Sequence, residues 1–390
     1  MRPRGSLFLV LAVLALLAGP VLGGSGQVIS YSGAERPLLE RIAWARQEAK
    51  AQQLGTTYWV GFGIRRLMEE GAFIGGSSWG RPANRLSLDD VIRGRKTPLE
   101  KRVAEDQAVR GTAAQQRAEG RPFAAPGPGE KPARRVWRDL GILLLVTEPG
   151  TSFPQDLRVN NLSGAFDFSG HPFIWVGMAE NAESLAYLIP LYDKAPSEGD
   201  RLSVLRTVGL HRDAALVVPF FERILKSRQA DDLRAEAAEC LGEQDDPRAL
   251  ELLLKLVRND ASSEVRERAV WGITEMELPA AGAALVSLAL SGPDRDVRRE
   301  AVQGLADKAT AETVRVLEKI ASGDKDAEVQ AEAVRAFADL PAKGGLPFLV
   351  NLAKTHSDAG VRKEAVGAIG DVGGPEAIKI LTEIVRQKAR

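Results

Sequence analysis

Only one cysteine, Cys240, occurs in 390 residues, so no intrachain disulfide can staple this fold and a packed core must stabilise it. Histidine is nearly as scarce. His171, His211 and His356 are scattered and have no cysteine ligands near them, so no zinc-type metal site is expected. All three read as solvated or turn-capping residues. Aromatic residues reach 6%, which suits Ala/Leu/Val-rich helices better than an aromatic-cored β-sandwich. An excess of one charge is also missing. Lys plus Arg number 52 and Asp plus Glu 52, so no global field selects nucleic acid or an anionic membrane. The phosphate-binding pattern GxxxxGK[ST] does not occur, and no cofactor is expected. His211-Arg212-Asp213 copies the letters of a kinase loop but lacks a glycine-rich loop and a strand context. Ser77-Ser78 lies in GGSSWG, but no strand–turn–helix context of the kind a nucleophile elbow needs is evident around it. No catalytic residue is expected, and the chain is read as no enzyme.

Long apolar runs are limited to one. Arg2 and Arg4 precede the stretch Leu7 to Ala18, Gly19-Pro20 breaks it, and Val21-Leu22-Gly23 offers a cleavage site after Gly23. Residues 1–23 are read as a signal peptide, and the mature protein as exported, periplasmic or secreted. The other reading is an uncleaved anchor, but the run is shorter than the roughly 20 residues a bilayer requires. No cysteine follows it to carry a lipid. No later stretch is apolar enough to span, so no stable membrane span is expected after cleavage.

What the chain does contain is a repeat. LRAEAAECLGE, VRERAVWGITE, VRREAVQGLAD, VQAEAVRAFAD and VRKEAVGAIGD begin at Leu233, Val265, Val297, Val329 and Val361, each 32 residues after the last. Ala237, Ala269, Ala301, Ala333 and Ala365 form one constant column, small enough for helices to approach closely. One turn further on, Leu241, Ile273, Leu305, Phe337 and Ile369 lie on the same helical face. A second helix follows each segment, with Leu253, Leu285, Leu317, Leu349 and Leu381 in register and Leu256, Leu288, Ile320, Leu352 and Ile384 three positions on. Pro247 and Pro375 sit near second-helix starts, where proline suits the first turn. Asp260, Asp294, Asp324 and Asp358 mark the turns between repeats. A fainter hairpin occupies Leu202 to Leu225, and a leading helix Glu183 to Lys194. Six hairpins and one leading helix are expected over 183–390. No hairpin can bury both its faces alone, so stacking must create the core.

The pattern V-R-x-x-A-V-x-x-L/I, a Gly/Asp turn and an Ala/Leu-rich second helix resembles HEAT repeats. VRREAV, VQAEAV and VRKEAV resemble most the subclass named after phycobilisome lyases. The resemblance implies a mainly α fold: a right-handed α-α superhelix, a HEAT-like solenoid, with a small N-terminal β-rich cap. It says little about partner or chemistry.

Residues 24–182 show no repeat. One helix is expected within Gln27 to Gln53. Strands are expected at Thr56 to Ile64, Val136 to Glu148, Leu157 to Val159, Ala165 to Phe168 and Phe173 to Val176, forming a small antiparallel unit over the open end of the array. The run Tyr58-Trp59-Val60, with Ala182 to Leu185 leading into the repeats, is similar to the layout of certain exported bacterial HEAT proteins. A flexible segment is expected at about 111–132, ending in APGPGEKP. The locally basic stretch 81–102 reads as a solvated loop. The C-terminal helix, with Lys379, Glu383, Arg386 and Lys388, is expected to cap its own end of the stack.

First-helix charges (Arg266 to Arg268, Arg298-Arg299 with Glu300, Arg362-Lys363-Glu364) read as a solvated face stitched by i,i+4 pairs. No basic stripe of the kind that grips nucleic acid is visible there. The second-helix layer is expected to line the concave side. Two of its columns change from repeat to repeat: Glu251, Ala283, Arg315, Pro347, Lys379, and Lys255, Ser287, Lys319, Asn351, Glu383. Variation over a constant core is what a groove for one shaped partner requires, and it is equally what drift on an exposed surface leaves. Glu251, Lys255, Arg315, Lys319, Asn351, Lys379 and Glu383 are the candidate partner-binding residues. The expected role is a non-catalytic scaffold for a protein or peptide. The alternative is a lyase-like accessory subunit that binds a cofactor-bearing substrate.

Overall fold

The computed structural model describes residues 27–33, 36–70, 72–75, 86–94, 135–149, 152–227, 229–340 and 344–388. The leader at 1–23, Ser77-Ser78, the segment 111–132 and most of the basic stretch 81–102 lie outside these residues.

The N-terminal unit is one five-stranded sheet in the order β1-β5-β2-β3-β4. Its strands are β1 (Val28–Ser30), β2 (Thr57–Glu69), β3 (Arg135–Thr147), β4 (Asp156–Asn161) and β5 (Phe173–Met178). β2 and β3 form a long antiparallel ladder from Thr57↔Thr147 to Glu69↔Arg135. β5 runs parallel to both β1 and β2, so the sheet is mixed, not antiparallel as expected. The strand-like residues were readable; the direction of β5 follows from how the chain returns to the sheet, which local pattern does not encode. The helix expected within Gln27 to Gln53 is shorter, because β1 takes its beginning. α1 (Leu38–Ala51) starts after Pro37, whose φ of −53° suits a helix entrance. Ala165 to Phe168 is no strand. It is a loop that stacks Phe166 edge-on against Trp59, at 5.1 Å, and accepts the Trp59 indole N–H at the Phe168 carbonyl, 3.1 Å away. A short helix unread in the sequence, α2 (Leu88–Ile92), is held by a capping box between Ser87 and Asp90.

Alternation along β2 gives the sheet two different faces. Tyr58, Val60, Phe62 and Ile64 are fully buried with α1 and the helical array, in the same continuous core. Trp59 faces the other way, with Leu143, Phe173 and Trp175, under Leu88 and Val91 of α2. Gly61 shares that second face, where an added Cβ would lie 2.7 Å from both Leu143 and Phe173; only glycine fits.

The array begins with α3 (Asn181–Lys194) and continues as six hairpins: α4 (Glu198–Gly209) with α5 (Ala214–Leu225), α6 (Asp231–Gly242) with α7 (Pro247–Asn259), α8 (Ser263–Glu275) with α9 (Pro279–Ser291), α10 (Arg295–Lys308) with α11 (Ala311–Gly323), α12 (Ala327–Asp339) with α13 (Leu346–Thr355), and α14 (Ala359–Val372) with α15 (Gly374–Lys388). The alanine column at 237, 269, 301, 333 and 365 is fully buried, as is the large column one turn on. Small residues bring first helices together: a Cβ on Gly242 would meet the Gly272 carbonyl at 2.3 Å, so these two backbones touch. Inter-repeat aspartates start the next first helix, Asp294 and Asp358 accepting backbone N–H bonds from Val297 and Val361.

The sheet is fastened to the array by arginines. Arg41 of α1 donates to the carbonyls of Val176 and Met178, each at 2.7 Å, and pairs with Glu183 of α3. Arg66 reaches Glu243 at 2.7 Å, and Arg135 pairs with Glu277. At the far end the expectation of a self-capping helix fails. Ile378 and Val385 of α15 are 65% and 67% exposed, whereas their counterparts Leu250 and Val257 on α7 are buried under the next hairpin. Lys379 and Arg386 lie beside this stripe on the helix and leave it uncovered.

Candidate interaction surface

Heptad geometry decides which second-helix positions face outward. With Leu253 and Val257 of α7 committed to the core, Glu251, Lys255 and Arg258 project away from it. The same triplet recurs as Ala283, Ser287 and Leu290 on α9, Arg315, Lys319 and Ser322 on α11, Pro347, Asn351 and Lys354 on α13, and Lys379, Glu383 and Arg386 on α15. All fifteen of these named side chains are exposed. The structure thus brings the seven candidate residues onto one face. It adds a third column, from Arg258 through Leu290, Ser322 and Lys354 to Arg386, which sequence reasoning missed. The signal was present: these residues lie seven positions after the first variable column, two turns along the same stripe.

The third column changes the electrostatic character of the face. Seven of its fifteen positions are Lys or Arg and two are Glu, within a chain of balanced charge. The one ion pair formed among these positions joins Lys255 to Glu251 at 3.9 Å, with both side chains largely in solvent. The side chains of Arg315, Lys319, Lys354, Lys379 and Arg386 form no ion pair or hydrogen bond among the described residues. These cations are available to an outside partner.

First-helix charges behave differently. Within a helix they pair at i,i+3, not i,i+4 as expected, joining Arg234 to Asp231, Arg299 to Asp296 and Arg335 to Glu332. Pairs run between neighbouring repeats: Arg206 to Glu236 at 2.7 Å, Arg268 to Glu239 at 2.6 Å, and Arg335 to Glu364 at 2.6 Å. A second ladder links each first helix to the turn before the next: Arg234 to Asp260, Arg266 to Asp294 at 3.0 Å, and Arg298 to Asp324 at 3.3 Å. Arg298 is buried, against expectation, because the 26 residues from Arg298 to Asp324 complete one hairpin and return the chain beside it. Glu300 has no such partner. Burial first, then the neighbouring carboxylates Glu267 and Glu332, push its carboxyl up to about 7, against the pull of Arg268 and Arg299. A carboxyl raised in the fold adds nothing below its unfolded pKa and weakens the fold as pH climbs towards 7. Glu300→Gln is therefore expected to leave stability unchanged near pH 4.5 and to raise it by about 1 kcal/mol at pH 8, after discounting for solvent screening. Urea midpoints at the two pH values measure this; an equal shift at both would refute it.

His211 is a correction to the sequence reading. It is buried, not solvated. Its Nδ1 lies 3.0 Å from the Thr207 carbonyl and its Nε2 2.8 Å from the Ser184 hydroxyl, also fully buried. With Nδ1–H donating to the carbonyl, Nε2 accepts from Ser184. Burial lowers its pKa to about 4, so the imidazole is neutral and ties α3 to α4. His356 lies at the end of α13 and takes a backbone N–H from Asp358. Cys240 is buried, and burial raises its thiol well above the ordinary range. Among the described residues no three His, Cys, Asp or Glu side chains are placed to hold a metal ion, and no helix is long and apolar enough to cross a membrane.

Among solved structures, human deoxyhypusine hydroxylase in complex with glycerol is similar at 21% identity and a TM-score of 0.23, over 53% of this chain and 81% of that one. The complex of CpcE and CpcF of phycocyanin lyase from Nostoc sp. PCC7120 is similar at 18% identity and a TM-score of 0.31, over 50% of this chain and 79% of that one. No curated protein matches the chain. The family model for HEAT repeats matches residues 185–274, 217–306 and 314–390. Repeats of this kind generally mediate protein interactions along their helical faces. With the model matching half of its residues and the stacked hairpins where that model places them, the chain belongs to the HEAT-repeat family.

Proposed function

We propose that this protein is an exported, non-catalytic scaffold that binds a protein or peptide partner across the outward face of its second helices. The observation that carries the reading is the contrast between the two helical layers. First-helix charges are largely spent on neighbouring repeats, while the second-helix face holds exposed side chains, with Lys255 and Glu251 its one ion pair, that differ from repeat to repeat over a constant buried core. Such a face needs no nucleophile, base or metal to work; it needs area and specific side chains. The export half of the proposal rests on Arg2 and Arg4 ahead of the apolar run Leu7 to Ala18.

One experiment tests both halves. A photo-reactive residue placed at Ser287 or Asn351 in the full chain, irradiated in the source cells, is expected to give one dominant adduct. The same residue at Lys363, exposed on first helix α14, is expected to give none. The mass of the cross-linked chain is expected to lack residues 1–23. Adducts from Lys363 alone would sink the interaction face, and an intact leader on the cross-linked form would sink export.

A further inference from the structure

We propose that the second-helix face takes an acidic polypeptide segment, in which groups of Asp or Glu alternate with an apolar residue. This deepens the scaffold reading and rests on it. The basic side chains are not spread evenly. Pairs of basic side chains fall on every second repeat, Lys255 and Arg258 on α7, Arg315 and Lys319 on α11, and Lys379 and Arg386 on α15, with the single Lys354 on α13 between the last two. Between the first two lies α9, whose outward positions are Ala283, Ser287 and Leu290, all uncharged and with Leu290 39% exposed. Neighbouring packed helices are about 10 Å apart, so the cationic rows stand about 20 Å apart. An extended peptide rises about 3.3 Å per residue and would place acidic groups about six residues apart over those rows. Residues an even number apart point the same way in an extended chain, so a residue two or four positions along would face Leu290, where an apolar side chain fits and a charged one would be desolvated without a partner.

A nucleic acid matches this layout poorly. Its phosphates follow one another without the uncharged interval that α9 imposes, and the duplex carries about one charge per 1.7 Å of axis. Glu251 and Glu383 would also meet phosphate at the two ends of the face. A peptide can place a lysine or a neutral residue there. Exposed ion pairs are individually weak, so affinity must come from several rows acting together and must fall with salt.

The test uses the full chain and dye-labelled probes read by fluorescence anisotropy. The first probe is a peptide of about 16 residues with glutamate pairs about six residues apart and leucine between them. The second replaces each Glu by Gln, and the third is an oligothymidylate of similar length. The Glu peptide is expected to bind at least about tenfold tighter than the Gln peptide and to lose about tenfold between low and moderately high salt. The double variant Arg315→Gln, Lys319→Gln is expected to weaken it about fivefold or more. The charge-keeping pair Arg315→Lys, Lys319→Arg is expected to bind like the parent chain. Arg295→Gln, on a first helix and paired with Glu328, is expected to change nothing. Equal binding of the Glu and Gln peptides, tighter binding of the oligonucleotide, or equal weakening by Arg295→Gln would overturn the proposal. If Ser287 still cross-links to a partner while the Glu peptide shows no preference, the acidic specificity falls and the interaction face stands. If neither occurs, both fall.

Discussion

Asp324→Asn is expected to destabilise the protein by about 3 kcal/mol, although the change is isosteric and lies in a turn. Asp324 sits 3.3 Å from Arg298, and both side chains are about nine-tenths buried, at 11% and 8% exposure. The amide keeps the shape but removes the charge that compensates a buried guanidinium, whose Nε has no partner either. Asp326, at 3.9 Å, offsets only part of the loss. The mechanism also predicts a rescue. Replacing both members, Arg298→Met with Asp324→Leu, should recover most of the stability, because the cost arises from an orphaned charge and not from a missing bond. Denaturant midpoints of the single and double variants decide it. A single variant within 0.5 kcal/mol of the parent, about the scatter of an ordinary surface change, would mean the pair is effectively solvated.

Phe337→Ala is expected to cost about 4 kcal/mol. Phe337 is fully buried and stacks on Phe348 with ring centroids 5.2 Å apart. It fills a column where other repeats carry Leu or Ile, and it faces α13, which is shorter than the other second helices. Removing the ring leaves a cavity that a shortened hairpin has few atoms to refill. Phe337→Leu, which restores the column's usual occupant, should cost about 1 to 1.5 kcal/mol. Because each repeat touches only its neighbours, the damage should remain local. Hydrogen exchange is expected to rise in α12 to α15 while the sheet and α3 to α7 keep their protection. Uniform loss of protection would show that the array unfolds as one unit.

The repeat was legible because stacking repeats its demands. An alanine at 237, 269, 301, 333 and 365 meets the same neighbouring helix each time, so period and core could be read without coordinates. Strands β2 and β3 were legible from their β-branched and aromatic runs. What was not legible depends on residues distant in sequence. His211 has the look of a solvated turn residue until Ser184, 27 positions earlier, is placed against it. Arg298 reads as a surface charge until the next turn closes over it. The third outward column was within reach of the sequence, but its importance lay in the charge total of the whole face. That total appears only once three columns are known to share one surface.

The sequence by itself determined the helical hairpins, their register, their constant core and the two variable columns, because these follow from local period and side-chain size. Tertiary structure alone decided the parallel course of β5, the burial of His211 and Arg298, and the exposed stripe on α15. It alone also divided the charges into those that neighbouring repeats neutralise and those left facing outward. The physical reason is the same throughout: a side chain's solvation and charge partners are set by groups many residues away, and one-dimensional periodicity carries no record of them.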